Sequence, residues 1–113
     1  MERLYVVTRQ DLPPGAQLAQ SCHAVSAFAT AFPEEHRQWH VHGQNLVVLA
    51  VPDERALEKL FELIGSQQRL PVPFYEPDFD DALTAFAVSD AAAKLLSSLP
   101  LALRPPKAAQ AAA

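Results

Sequence analysis

One cysteine, Cys22, is all the chain has. No disulfide can form within it, so packing alone must hold the fold, and a reducing compartment suits such a chain. Basic residues are scarce as well: nine Lys and Arg stand against thirteen Asp and Glu, a formal net charge of −4. Holding nucleic acid mainly by neutralising phosphates needs the opposite balance. No apolar run approaches the roughly 20 residues of a membrane-spanning helix. No basic-then-apolar secretory pattern opens the sequence, and a cytoplasmic location is expected. The three glycines build no Walker loop, dinucleotide fingerprint or Gly-x-Ser-x-Gly elbow. No internal repeat is visible.

What is present suits one compact domain. Of 113 residues, 50% are hydrophobic and 19% charged, enough apolar surface for a core without staples. Leu4-Tyr5-Val6-Val7 reads as an interior strand, and Asn45 to Val51 as a second strand apolar on both faces. Between them, a helix follows Pro13-Pro14-Gly15 and runs to about Phe32, and Pro33 opens a shorter one. Asp53 caps an amphipathic helix whose stripe is Leu57, Leu60, Phe61 and Ile64, with Glu54, Glu58 and Glu62 on its outer face. Val72 to Tyr75 is a third strand, and Pro71 and Pro73 mark it as an edge or a bulge. Leu83 to Val88 is a fourth, and Ser89 or Asp90 caps a last helix to about Leu99. The order predicts an α/β, three-layer domain over residues 1–100, a mixed four-stranded sheet flanked by helices. Residues 101–113 form an Ala/Pro-rich tail, its C-terminal part loosely attached.

The first long helix carries the polar residues of interest. Leu18, Cys22, Val25, Ala29 and Phe32 share one face and are expected on the sheet. Together with Val48, Leu60, Phe61, Phe86 and Leu95, the first three of these form the predicted core. Ala16, Gln20, His23 and Ala27 share another face. Cys22 and His23 point about 100° apart, so they form no nucleophile–base pair, and Cys22 reads as a small core residue. Gln20 and His23, one turn apart among alanines, are the candidate site.

These residues carry a resemblance. Tyr5-Val6-Val7, Asp11-Leu12, Gly15-Ala16 and Ala19-Gln20-Ser21-Cys22-His23-Ala24 follow one another as in the type 2 peptidyl-tRNA hydrolases. Val47-Val48-Leu49 leading to Val51-Pro52-Asp53-Glu54, then Glu76-Pro77, then Thr84-Ala85-Phe86-Ala87, continue the pattern. The chain is similar to that superfamily over roughly residues 3–99, and closest to its divergent peptidyl-tRNA hydrolase domain-containing branch. The family fold agrees with the architecture predicted above.

The resemblance implies ester hydrolysis that frees a peptide from tRNA, with peptidyl-tRNA as the partner, a homodimer as the assembly and no cofactor. It implies His23 and Glu76 as catalytic residues and Asp11, Gln20 and Thr84 as substrate-binding ones. Asp78, Asp80 and Asp81 compete with Glu76 for the place of the family's aspartate, because the loop is shortened here. One departure stands out: where typical members carry a lysine, this chain has Ala16. Losing a charge-stabilising lysine costs about 10²–10³ in rate. Arg9, at the end of the first strand, is the cation nearest in sequence. The alternative is therefore a catalytically silent member kept as an RNA- or protein-binding module.

Other groupings are weaker. His36 and His40 have i, i+4 spacing with His42 close by, but no third ligand of clear geometry, so a solvated helix is expected and no metal site. Trp39 reads as a cap on the core, and Asp78–Asp81 as a solvated loop that lacks the glycine and glutamate of a calcium loop.

Overall fold

The computed structural model describes residues 1–104. The unbroken apolar run of the first strand becomes β1 (Arg3–Arg9), an interior strand buried from Leu4 to Thr8. It is followed by α1 (Pro14–Ala31), α2 (Pro33–Val41), β2 (Asn45–Val51), α3 (Glu54–Ser66), β3 (Val72–Glu76), β4 (Ala82–Ser89) and α4 (Ala93–Leu96). The sheet order is β2-β1-β4-β3. β1 and β2 are parallel, and β4 runs antiparallel to both β1 and β3. β3, with Pro73 in it, lies at an edge, where a missing N–H costs least.

Alternation along β1 sends its side chains to two separate cores. Leu4 and Val6 pack with Ala24, Phe28, Trp39, Ala85 and Ala87 under α1 and α2. Tyr5 and Val7 pack with Leu49, Leu57, Ile64, Phe86 and Leu96 under α3 and α4. The domain is thus α/β with three layers. Asp53 caps α3 as expected, its carboxylate accepting from the Ala56 N–H at 2.9 Å. Leu60, Phe61 and Leu95 pack partly buried on the second core and Val48 on the first. Trp39 is buried and its indole donates to the Asn45 carbonyl at 2.9 Å.

The expected sheet-facing side of α1 is corrected. Gln17, Gln20, Ser21, Ala24 and Phe28 are its buried residues. Leu18 is 54% exposed, Cys22 is exposed, and Val25 and Ala29 are half-buried. The buried face is about 100° from the one that apolarity picks out. The reason is steric and polar at once: Ser21 and Ala24 let the helix sit close to the sheet, and the buried amides find partners. Ser21 Oγ donates to the Gln17 carbonyl at 2.7 Å, and Gln17 Nε2 to the Leu12 carbonyl at 2.8 Å.

The last helix is also shorter than expected. A 3₁₀ turn, Asp90–Ala92, with Ser89 Oγ accepting from the Ala91 N–H, precedes the single turn of α4. The chain then runs along the outer edge of β2. Ala50 N–H donates to the Pro100 carbonyl at 3.0 Å and Ala102 N–H to the Val48 carbonyl at 2.9 Å. Backbone groups of an edge strand are satisfied in this way. The Leu103 N–H reaches Gln17 Oε1 at 3.3 Å, tying this segment to α1. The remainder of the expected tail, 105–113, lies outside the described residues.

Candidate active site

β3 is antiparallel to β4, which is antiparallel to β1, so β1 and β3 point the same way. Their carboxyl ends, the start of β4 and the N-terminal half of α1 therefore meet at one end of the sheet. The decisive local feature there is a β-bulge. Phe74 pairs with Ala85 and Tyr75 with Leu83, which leaves Thr84 as an extra residue on β4. A bulge puts two consecutive side chains on one face and re-aims the extra one. Ala85 packs in the α1-side core, and the Thr84 hydroxyl joins it on that side.

That hydroxyl donates to Gln20 Oε1 at 2.6 Å, and both residues are buried. Fixing the oxygen of the amide fixes its nitrogen, and Gln20 Nε2 donates to Glu76 Oε1 at 3.2 Å. Thr8 Oγ1 holds the bulge from the neighbouring β1 by donating to the Thr84 carbonyl at 2.9 Å. Gln20, Thr84 and Glu76, three of the residues singled out in the sequence, thus form one hydrogen-bonded chain. Glu76 is half-buried, and of the acidic residues that compete for its role it is the one bonded to Gln20. Asp78, Asp80 and Asp81 are exposed. Asp80 and Asp81 have φ of 53° and 58°, a left-handed conformation that aspartate tolerates better than branched residues do.

His23 sits on the flank of α1 that faces β3. Its ring stacks on Phe74, centroids 4.5 Å apart and planes inclined by 18°. Phe74 and Glu76 are two positions apart on β3 and share a face, a step of about 7 Å. Histidine and carboxylate are accordingly neighbours along one strand, with Gln20 and not His23 bonded to the carboxylate. Ala16, half-buried, lies one turn before Gln20 on the same flank.

Asp11 is held in a different cluster. Arg9 Nε and Nη2 donate to its two oxygens at 2.9 and 2.8 Å. That hydrogen-bonded pairing holds the Asp11 carboxyl below its ordinary range, and outweighs the opposing effect of burial. Arg9 alternates with Thr8 on β1 and so faces the α3 side, away from Gln20. It therefore does not fill the place of the missing lysine. Glu54, expected on the outer face of α3, turns inward instead. Its Oε2 accepts from the Leu83 N–H at 3.0 Å and lies 3.8 Å from Arg9 Nη1. Sequence reasoning missed Glu54 and Thr8. Thr8 had a readable signal, a small polar residue directly after the buried run Leu4–Val7.

His36 and His40 stack at 6.3 Å, and His42 pairs with Gln38 at 3.0 Å. Among the described residues, no group of three or more His, Cys, Asp or Glu side chains is arranged to hold a metal ion. Nor is any described helix long and apolar enough to cross a membrane.

A glutamine, a threonine and a carboxylate are thus bonded in series at one end of the sheet of a three-layer α/β domain. The family model described as Peptidyl-tRNA hydrolase PTH2 matches residues 3–76, well over half of the chain. This chain belongs to that family. The match ends at Glu76, so the bulge and Thr84 lie just beyond it. No curated protein matches the chain.

Proposed function

We propose that this chain is a peptidyl-tRNA hydrolase whose working site is the Gln20–Glu76–Thr84 chain with His23 beside it. The observation that carries the reading is the bond from Gln20 Nε2 to Glu76 Oε1. It leaves the second carboxylate oxygen of Glu76 to accept a proton from water. Ester hydrolysis needs a positioned water, a group that assists its deprotonation, and a donor at the developing oxyanion. Water attacks the ester carbonyl, its proton passes to Glu76 or His23, and the tRNA ribose oxygen leaves with a proton returned to it. The remaining N–H of Gln20 and the uncapped first turn of α1 supply positive partial charge. Asp11, in the loop after β1 and 40% exposed at its side chain, stands at the same end of the sheet to meet the substrate.

Ala16 brings no cation, so the proposed turnover is slow, by about 10²–10³ relative to a site with a lysine there. The second reading, a silent module that binds RNA or protein, is favoured by that same residue. We further propose a cytoplasmic homodimer, for which Leu18, Leu46 and Leu101 offer exposed apolar surface; sedimentation velocity tests it. Single-turnover hydrolysis of an N-blocked aminoacyl-tRNA separates the two readings. Release of the blocked amino acid above the solvent rate supports the hydrolase. Binding of tRNA without release supports the silent module.

A further inference from the structure

The pairing of β1 with β4 stops at Thr8 and Ala85. Leu83, two residues before Ala85 and next to the bulge, therefore needs other partners for its backbone on that side. It receives both from side chains. Arg9 Nη1 donates to the Leu83 carbonyl at 3.1 Å, and the Leu83 N–H donates to Glu54 Oε2 at 3.0 Å. Arg9 and Glu54 also face each other at 3.8 Å, closing a three-membered ring around one peptide position. Asp11 completes the arrangement by gripping the other edge of the guanidinium.

We propose that Arg9 and Glu54 are positioning residues of the site: they clamp Leu83 from the α3 side and so hold the bulge that aims Thr84 at Gln20. The line of action is short. A bulge forfeits regular ladder bonds, so its geometry depends on whatever replaces them. Thr8 fixes the Thr84 carbonyl from the α1 side, and the clamp fixes the preceding residue from the opposite side. Between them they set where Thr84 Oγ1 lies, and that atom sets the orientation of the Gln20 amide. The arginine suits this task because its planar fork serves Asp11 through two nitrogens while the third reaches Leu83, which a lysine ammonium cannot do. Neither Arg9 nor Glu54 is hydrogen-bonded to Glu76; they act through the backbone of β4.

This inference rests on the reading of Gln20, Thr84 and Glu76 as the working site, but its test does not require turnover. In the full chain, the side-chain NH₂ signals of Gln20 and the amide exchange of Leu83 are followed by NMR in Glu54→Ala, Glu54→Gln and Arg9→Lys. The expected result is loss of Leu83 protection and a displaced, faster-exchanging Gln20 amide in Glu54→Ala, with recovery in Glu54→Gln, whose side-chain oxygen still accepts. Arg9→Lys should fall between them. Where the wild type hydrolyses peptidyl-tRNA, kcat should drop about tenfold or more in Glu54→Ala at unchanged KM, since ångström-scale misplacement costs up to about 10²-fold. Unchanged Gln20 signals in a folded Glu54→Ala would overturn the proposal, even if its melting temperature fell. If Glu54→Ala does not fold, Arg9→Lys decides: Gln20 signals at wild-type values in that variant would equally overturn it. Absence of turnover in the wild type would count against the hydrolase reading and leave the NMR outcome to judge the clamp.

Discussion

Thr84 Oγ1 and Gln20 Oε1 are 2.6 Å apart, a buried bond between residues separated by 64 positions in the chain. It fixes which way the Gln20 amide points. Thr84→Val removes the hydroxyl at nearly constant volume and leaves the amide oxygen unpaired. Chemical denaturation should show a loss of about 1–3 kcal/mol, with Thr84→Ser recovering most of it. Equal stability of Thr84→Val and wild type would mean the bond contributes nothing.

The phase of α1 makes an independent prediction. Phe28 is 2% exposed, and Phe28→Ala should cost about 3–5 kcal/mol. Cys22→Ser, on the exposed side, should change stability by no more than about 0.5 kcal/mol. The native protein should also react with a thiol reagent at Cys22 without denaturant. A thiol that titrates only after unfolding would restore the face that apolarity suggests.

How much of this was legible in the sequence differs between elements. β1, β2, α3 and the edge position of β3 follow from apolar runs, the Asp53 cap and Pro73, all local signals. The phase of α1 does not, because three of the five residues on its buried face, Gln17, Gln20 and Ser21, are polar. Burying an amide is favourable only with a partner, and the partners of Gln20 lie 56 and 64 residues away. The bulge at Thr84 and the inward turn of Glu54 are long-range in the same sense. Gln20, Glu76 and Thr84 could be picked out by resemblance, while the bonds that join them required the fold.

The Arg9–Asp11 pair predicts a pH effect. Arg9 holds the folded-state pKa of Asp11 below its ordinary value. Stability from this group is therefore present above the unfolded pKa of about 4 and is lost as pH falls through the lower folded value. Asp11→Asn should flatten the fall in unfolding free energy below pH 4. With the carboxylate 40% exposed, the difference should stay under about 1 kcal/mol. Identical pH profiles for the two proteins would show that the pair adds nothing.

Ala16→Lys tests the vacant position. A cation one turn before Gln20 on the same flank would stabilise developing negative charge and should raise hydrolysis of peptidyl-tRNA, by up to about 10²–10³. Ala16→Gln, similar in reach but uncharged, should leave the rate unchanged. A gain in both variants would point to binding rather than charge.

The central claim, that the carboxylate bonded to Gln20 carries the chemistry, is tested most directly by single-turnover hydrolysis of peptidyl-tRNA in Glu76→Gln. The substituted amide can still accept from Gln20, so the fold should persist while proton acceptance from water is lost. General-base assistance is worth about 10²–10⁴, so the wild-type rate, itself slow, should fall by at least the lower of those factors in Glu76→Gln. Turnover that survives unchanged in Glu76→Gln would contradict a role for this carboxylate and place the chemistry elsewhere, at His23 if His23→Ala abolishes it.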